Sequence, residues 1–179
     1  MAESRNGGIA WHSPDPRAII PLDAFHVSRS LRQRVRKGEF AVKVDTAFGD
    51  VIASCAARED TWISDEIVRV YTALHEMGFA HSVESWKGAA LAGGLYGVSI
   101  GGAFFGESMF SVETDASKVA LVHLVRKLTL RGFALLDTQF VNDHIVQFGA
   151  VEISRSRYLR VLADAIRMDV TFGRDPDSL

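Results

Sequence analysis

The stretch AHSVESWKGAALAGGLYGVSIGGAFFGESMF, residues 80–110, decides the fold. Its apolar and small residues fall into three segments, 80–86, 90–100 and 103–110, joined at Lys87-Gly88 and Gly101-Gly102. Short apolar runs closed by glycine turns read as consecutive antiparallel strands. Downstream, Thr114 or Asp115 is the expected cap of a helix through Leu130, with Val119, Val122 and Leu128 among its apolar positions and Gly132 as its stop. Residues 133–139 are short, apolar and leucine-rich, and read as a buried strand. A helical turn ends at Gly149, and Ser154 starts a last helix bearing Tyr158, Leu159, Leu162 and Ile166. Upstream, Ser64 before Asp65 and Glu66 starts a helix with Ile67, Tyr71 and Leu74 on its buried stripe and Gly78 as its end. Asp45 is the expected cap of another, carrying Phe48, Val51, Ile52 and Cys55 on one face. A meander, then a helix, then a strand joining the same sheet is an α+β order, a mixed sheet flanked by helices.

The ends read differently. Residues 1–25 hold three of the four prolines (Pro14, Pro16, Pro21) and are expected to be irregular; the main domain is expected at 26–170 and a loose tail from Thr171. No run approaches the ~18–20 apolar residues that span a bilayer, and residues 1–8 lack the apolar core of a secretory signal. One cysteine, Cys55, makes no internal disulfide, so a reducing, cytoplasmic location is expected. The six histidines show no metal-ligand spacing such as His-Glu-x-x-His, and no metal is expected. A net charge of −2 gives no global attraction for polyanions, so any nucleic-acid contact must be local. One patch qualifies: between Ser28 and Lys37, Arg29, Arg32, Arg34, Arg36 and Lys37 occur without one acidic residue, as a solvated helix face or as a phosphate-binding surface.

Eight blocks then become specific. They are Trp11-His12-Ser13-Pro14-Asp15-Pro16-Arg17, His81-Ser82-Val83-Glu84, Gly93-Gly94-Leu95-Tyr96-Gly97, residues 104–111, Ala116-Ser117-Lys118, Asp137-Thr138-Gln139, Asn142-Asp143-His144 and Gly149-Ala150-Val151-Glu152-Ile153. In this order, and continued by Tyr158-Leu159, they resemble the bacterial leucyl/phenylalanyl-tRNA–protein transferase family from about Ala10 to Ala163. The family's catalytic domain has the GNAT acyltransferase fold, whose element order matches the pattern above. Family members usually carry a further segment before the Trp-x-Ser-Pro-Asp-Pro-Arg block, with an aromatic residue that holds the tRNA's terminal adenosine. Residues 1–8 stand in its place, and no counterpart is expected.

The resemblance implies transfer of leucine or phenylalanine from leucyl-tRNA or phenylalanyl-tRNA to the N-terminus of acceptor proteins beginning with Arg or Lys, with no cofactor and no membrane. An aminoacyl ester is already activated, so the task is to bring a neutral amine to its carbonyl and stabilise the oxyanion. Asp137 and Gln139, two apart on one expected strand, project from the same face. In the family these positions lie in the active site, either as a hydrogen-bonded pair polarising the amine or as a clamp on the acceptor's basic first residue. Glu107 lies in an apolar strand, where a buried carboxylate without a partner is costly. The resemblance sets it beside the donor pocket, orienting an amino group; the alternative is a solvent-facing bulge. Leu95, Phe104, Leu121, Leu124 and Leu136 match the pocket lining, and Trp62 a position holding the terminal adenosine; all are also ordinary core residues. The basic run then becomes a phosphate-contacting surface, with Arg155, Arg157 and Arg160 as a second contact. His81 and His144 read as hydrogen-bonding scaffold.

Two rival functions share these features. An acetyl-coenzyme A-dependent acetyltransferase has the same fold but cradles pyrophosphate on a Gly-rich turn; here the turn is Ser111-Val112-Glu113-Thr114-Asp115, with two carboxylates and no glycine. A non-catalytic binder of tRNA or of N-terminal degradation signals is the other.

Overall fold

The structure, a computed structural model, describes residues 2–5, 8–58 and 61–173. Strands β1 (Ala2–Arg5) and β2 (Gly8–Trp11) pair antiparallel, followed by β3 (Arg17–Ile19), α1 (Arg29–Lys37), β4 (Ala41–Val44), α2 (Phe48–Ala56) and α3 (Asp65–Glu76). The meander is β5 (Ala80–Lys87), β6 (Ala90–Ile100) and β7 (Ala103–Ser111), then α4 (Ala116–Leu130), β8 (Leu135–Gln139), α5 (Asp143–Val146), β9 (Val151–Ile153) and α6 (Arg155–Ala165). One seven-stranded mixed sheet runs in the order β4-β5-β6-β7-β8-β3-β9. Its one parallel pair among the described residues, β7 with β8, is joined through α4. The architecture is α+β, consistent with an acyltransferase-like fold.

Alternation along β6 divides the core. Leu95 faces the layer of α4, with Phe104 and Leu136, while Tyr96 faces α2 and α3, with Phe48, Ile67 and Tyr71. Helix α4 is buried around much of its circumference, because α1 covers the side turned from the sheet. A Cβ at Gly93 would stand 2.7 Å from the Ala116 Cβ, so glycine there lets the start of α4 rest on β6. Among the described residues no helix is long and apolar enough to cross a membrane.

Several local expectations need correction. The irregular start contains β3, which enters the sheet between β8 and β9; three residues are too few for periodicity to reveal, although Ala18 and Ile20 are each 1% exposed. The tail expected from Thr171 contains Phe172, which is buried and stacks on His81 and Phe104 at 4.4 and 5.2 Å; residues 174–179 lie outside the described ones. Asp45 does not cap α2. Its carboxylate accepts from Ser82 N at 2.8 Å and meets His81 Nδ1 at 2.7 Å, while Glu84 of β5 accepts from Thr46 N, Thr46 Oγ1 and Ala47 N. Asp115 precedes α4 but makes no side-chain cap bond; it pairs with Lys118 at 3.0 Å. On α6 the buried seam is Tyr158, Leu162 and Ala165, an i, i+4, i+7 stripe, which turns Leu159 and Ile166 outward. The Ser64 cap of α3, with Ile67 N donating to its hydroxyl, and the Gly78 stop are as expected.

Candidate active site

Strands β7 and β8 pair only from Ala103↔Leu135 to Phe105↔Asp137. Beyond that point β7 follows β6 as far as Ser111, while β8 ends at Gln139. The two strands part, and a cavity of about 510 Å³ fills the opening, bordered by 106–111 on one side and 138–140 on the other. Small-molecule sites are typically ~300–1,000 Å³. Its apolar wall includes Leu95 of β6, Leu121 and Leu124 of α4, Leu136 of β8 and Met109 of β7. Trp62 borders it as well. Phe104 does not: it is fully buried beneath the wall, against Phe172.

Glu107 reaches the cavity through a break in alternation. Gly97 faces Gly106 and Tyr96 faces Ser108, which leaves Glu107 as the extra residue of a β-bulge. The bulge faces the cavity, not open solvent, and Glu107 and Ser108 both border it. Glu107 Oε2 is buried without a hydrogen-bond partner among the described residues. Burial pushes the carboxyl above its usual range, and the Tyr71 hydroxyl and the Arg17 charge partly oppose that shift. The Tyr71 and Tyr96 phenols are pushed up by burial and then by the Glu107 charge, so both remain O–H donors. A buried carboxylate oxygen left without a partner is costly and suits a cationic ligand group.

Asp137 and Gln139 are coupled differently from the expected pair on one face. Asp137 is wholly buried and turned away from the cavity. Its Oδ1 accepts from Arg17 Nε at 3.0 Å and its Oδ2 from Arg17 Nη2 at 2.6 Å and from the Tyr158 hydroxyl at 2.6 Å. Oδ1 also accepts from the backbone N–H of Gln139 at 2.9 Å. Gln139 has φ +64°, a left-handed backbone that breaks the strand's alternation, and it alone of the two borders the cavity. Burial, then the hydrogen bond to Asp137, pushes the Tyr158 phenol up and keeps it a donor.

The basic run lies on α1, where Arg29, Arg32, Arg36 and Lys37 are exposed. Arg34 is drawn into the fold: it donates to the Thr114 carbonyl at 2.7 Å and lies 3.6 Å from Asp115. Arg155 donates to the Ser13 carbonyl at 2.8 Å, and it is exposed, as are Arg157 and Arg160. His81 is a scaffold residue through Asp45. The backbone of His144 belongs to the Asn142 cap, but its ring borders the cavity, where burial and then Lys118 lower its pKa. Sequence reasoning missed Arg17, Tyr158, Tyr71 and Arg58. Arg17 and Tyr158 do stand inside recognised blocks, which was the available signal.

A family model described as "Leucyl/phenylalanyl-tRNA protein transferase" matches residues 19–163. The chain is 55% identical over 166 residues to the leucyl/phenylalanyl-tRNA–protein transferase of Salinibacter ruber, covering 93% of this chain and 74% of that one. It is 53% identical over 184 residues to that of Maricaulis maris, covering 100% and 85%. It is 53% identical over 172 residues to that of Gloeobacter violaceus, covering 96% and 89%. A match of this extent, running through both strands that flank the cavity, means that the chain belongs to the leucyl/phenylalanyl-tRNA protein transferase family.

Proposed function

We propose that this chain is an aminoacyltransferase of the cytoplasm that moves leucine or phenylalanine from aminoacyl-tRNA to the N-terminal α-amine of proteins beginning with Arg or Lys, marking them for degradation. The observation that carries this reading is the cavity between the parted strands, whose leucine wall suits a γ-branched or aromatic apolar side chain and whose Glu107 keeps one carboxylate oxygen, Oε2, without a hydrogen-bond partner among the described residues. Leu95, Leu121, Leu124 and Leu136 take the donor side chain, Glu107 its α-ammonium and Trp62 the terminal adenosine. The exposed residues of α1 take phosphates of the tRNA body.

The acceptor amine attacks the ester carbonyl carbon, the C–O bond to the ribose breaks, and a proton from the amine nitrogen ends on the departing ribose oxygen. An α-amine with a reference pKa of about 7.7–8.0 is partly neutral near pH 7, so a positioned group suffices to orient it. Gln139 is that group, through its side-chain amide at the cavity wall. Asp137 acts through Gln139 as a positioning residue, because its lone pairs are engaged by Arg17, Tyr158 and the Gln139 N–H. The ester is already activated, so the reaction needs no cofactor. The acetyl-coenzyme A alternative is disfavoured by Glu113 and Asp115 in the turn before α4, where they would repel pyrophosphate.

The test is incubation with radiolabelled leucyl-tRNA and two acceptors that differ only in starting with Arg or with Asp. Label at the N-terminus of the Arg-initiated protein alone is the expected outcome. Absence of label from both removes the reading.

A further inference from the structure

Arg58 follows the last turn of α2 and borders the cavity beside Trp62, Glu107 and Ser108. Among the described residues bordering the cavity it is the one Arg or Lys, and Glu107 is the one Asp or Glu. Its guanidinium is fixed from two sides: Nε donates to the Cys55 carbonyl at 3.2 Å and Nη2 to Ser108 Oγ at 3.1 Å. A guanidinium has five N–H donors, so this geometry orients the group and leaves donors over. Arg58 is exposed and pairs with no acid among the described residues, whereas Glu107 is half-buried with its Oε2 wholly covered.

One cavity thus carries two opposite charges at different depths, a carboxylate inside and a guanidinium outside. A ligand matching both has a cation within and an anion toward solvent. The 3′-terminal nucleotide of an aminoacylated RNA has this layout: an ammonium on the aminoacyl α-carbon and a phosphodiester across the ribose. Capping the C-terminal end of α2 explains the bond to Cys55 but not the second bond, which reaches across to β7.

We infer that Arg58 is a phosphate-binding position, its guanidinium holding the 5′-phosphate of the donor's terminal nucleotide and so setting the ester over the leucine-lined wall. This rests on the donor-site reading above. The planar fork of arginine suits a phosphate, and its charge-assisted hydrogen bonds are the strong ones.

The experiment uses the full chain and two hydrolysis-resistant probes, 3′-deoxy-3′-leucylamidoadenosine with and without a 5′-phosphate, titrated by calorimetry. The wild-type protein is expected to bind the phosphorylated probe about tenfold or more tightly than the other. In Arg58→Gln and Arg58→Ala, each checked for an unchanged melting temperature, the unphosphorylated probe binds as in wild type and the phosphate advantage falls below about twofold. Equal wild-type affinity for the two probes overturns the assignment and leaves the transferase reading standing. An advantage that survives in both variants does the same, as does an equal loss for both probes, which would mark Arg58 as a helix cap. Failure of wild type to bind either probe removes the donor-site reading and this assignment together.

Discussion

Arg17 and Asp137, 120 positions apart in the chain, meet in a buried two-pronged ion pair, Nε to Oδ1 at 3.0 Å and Nη2 to Oδ2 at 2.6 Å. With Tyr158 on Oδ2 and the Gln139 N–H on Oδ1, the carboxylate is surrounded by donors. Breaking such a buried pair from one side typically costs ~3–5 kcal/mol, because the other charge is stranded. The same clamp restrains Gln139 in the left-handed region, which for a non-glycine residue costs on the order of 1–3 kcal/mol and persists only when its surroundings impose it. Strain next to a cavity, held by a buried carboxylate, fits a positioning device better than an exposed base.

Glu107 should trade stability for donor binding. Its carboxyl pKa is raised in the folded state, chiefly by burial. The folded protein therefore prefers the protonated acid, and that contribution is present below the unfolded value of about 4.3 and lost as pH rises through the higher folded one. At pH 8 Glu107→Gln should melt higher than wild type, by about 2–4 °C for each kcal/mol regained in a chain of this size. Near pH 3.5, where the acid is protonated in both states, the gain should vanish. Donor KM should rise in the same variant. A lower melting temperature at pH 8 contradicts the burial argument.

If α1 binds tRNA phosphates, affinity should weaken with salt, and removing one phosphate-pairing charge should flatten the log–log slope by roughly 0.7–0.9. Arg32→Glu with Arg36→Glu is expected to lower affinity and flatten the slope without unfolding the protein, since both side chains are exposed. Arg34→Glu should instead lower the melting temperature, because Arg34 ties α1 to the Thr114 carbonyl. A slope unchanged by the double variant moves the tRNA surface elsewhere.

Donor choice should follow the depth of the apolar wall. Valyl-tRNA, one methylene short of leucyl, should react about 10–200-fold more slowly, and aspartyl-tRNA hardly at all. Leu124→Ala, which deepens the cavity at α4, should favour phenylalanyl over leucyl donors while costing ~2–5 kcal/mol of stability. Competition between the two charged tRNAs in one reaction measures the ratio, and an unchanged ratio removes Leu124 from the pocket.

What the sequence made legible was local. Ser64, Asp65, Glu66 and Gly78 mark both ends of α3 within fifteen residues, and Gly88 and Gly101-Gly102 punctuate the meander. The site depends on pairings across the chain that no window contains. Glu84 serves the turn before α2 from 38 positions away, and Arg17 reaches Asp137 from a strand of three residues. Two departures from regular alternation, the bulge at Glu107 and the positive φ of Gln139, place those side chains at the cavity. The first has only Gly106 beside it as a local sign, and the second has no glycine or proline. Block resemblance therefore reached Glu107, Asp137 and Gln139 where periodicity did not, but it could not say that Asp137 faces away from the cavity.

The most direct test is the single-turnover rate of Tyr158→Phe at saturating acceptor, measured across pH. The Tyr158 hydroxyl donates to Asp137 Oδ2 at 2.6 Å, a charge-assisted hydrogen bond. Removing one oxygen leaves Arg17 and the charge of Asp137 in place, so the variant should fold. As a positioning residue, Asp137 loses one side of its clamp, Gln139 is held less firmly, and the rate should fall about tenfold, as when a charge-assisted hydrogen bond is removed, with the shape of the pH profile unchanged. A rate that holds or rises, or a pH profile that changes shape, would contradict the positioning account.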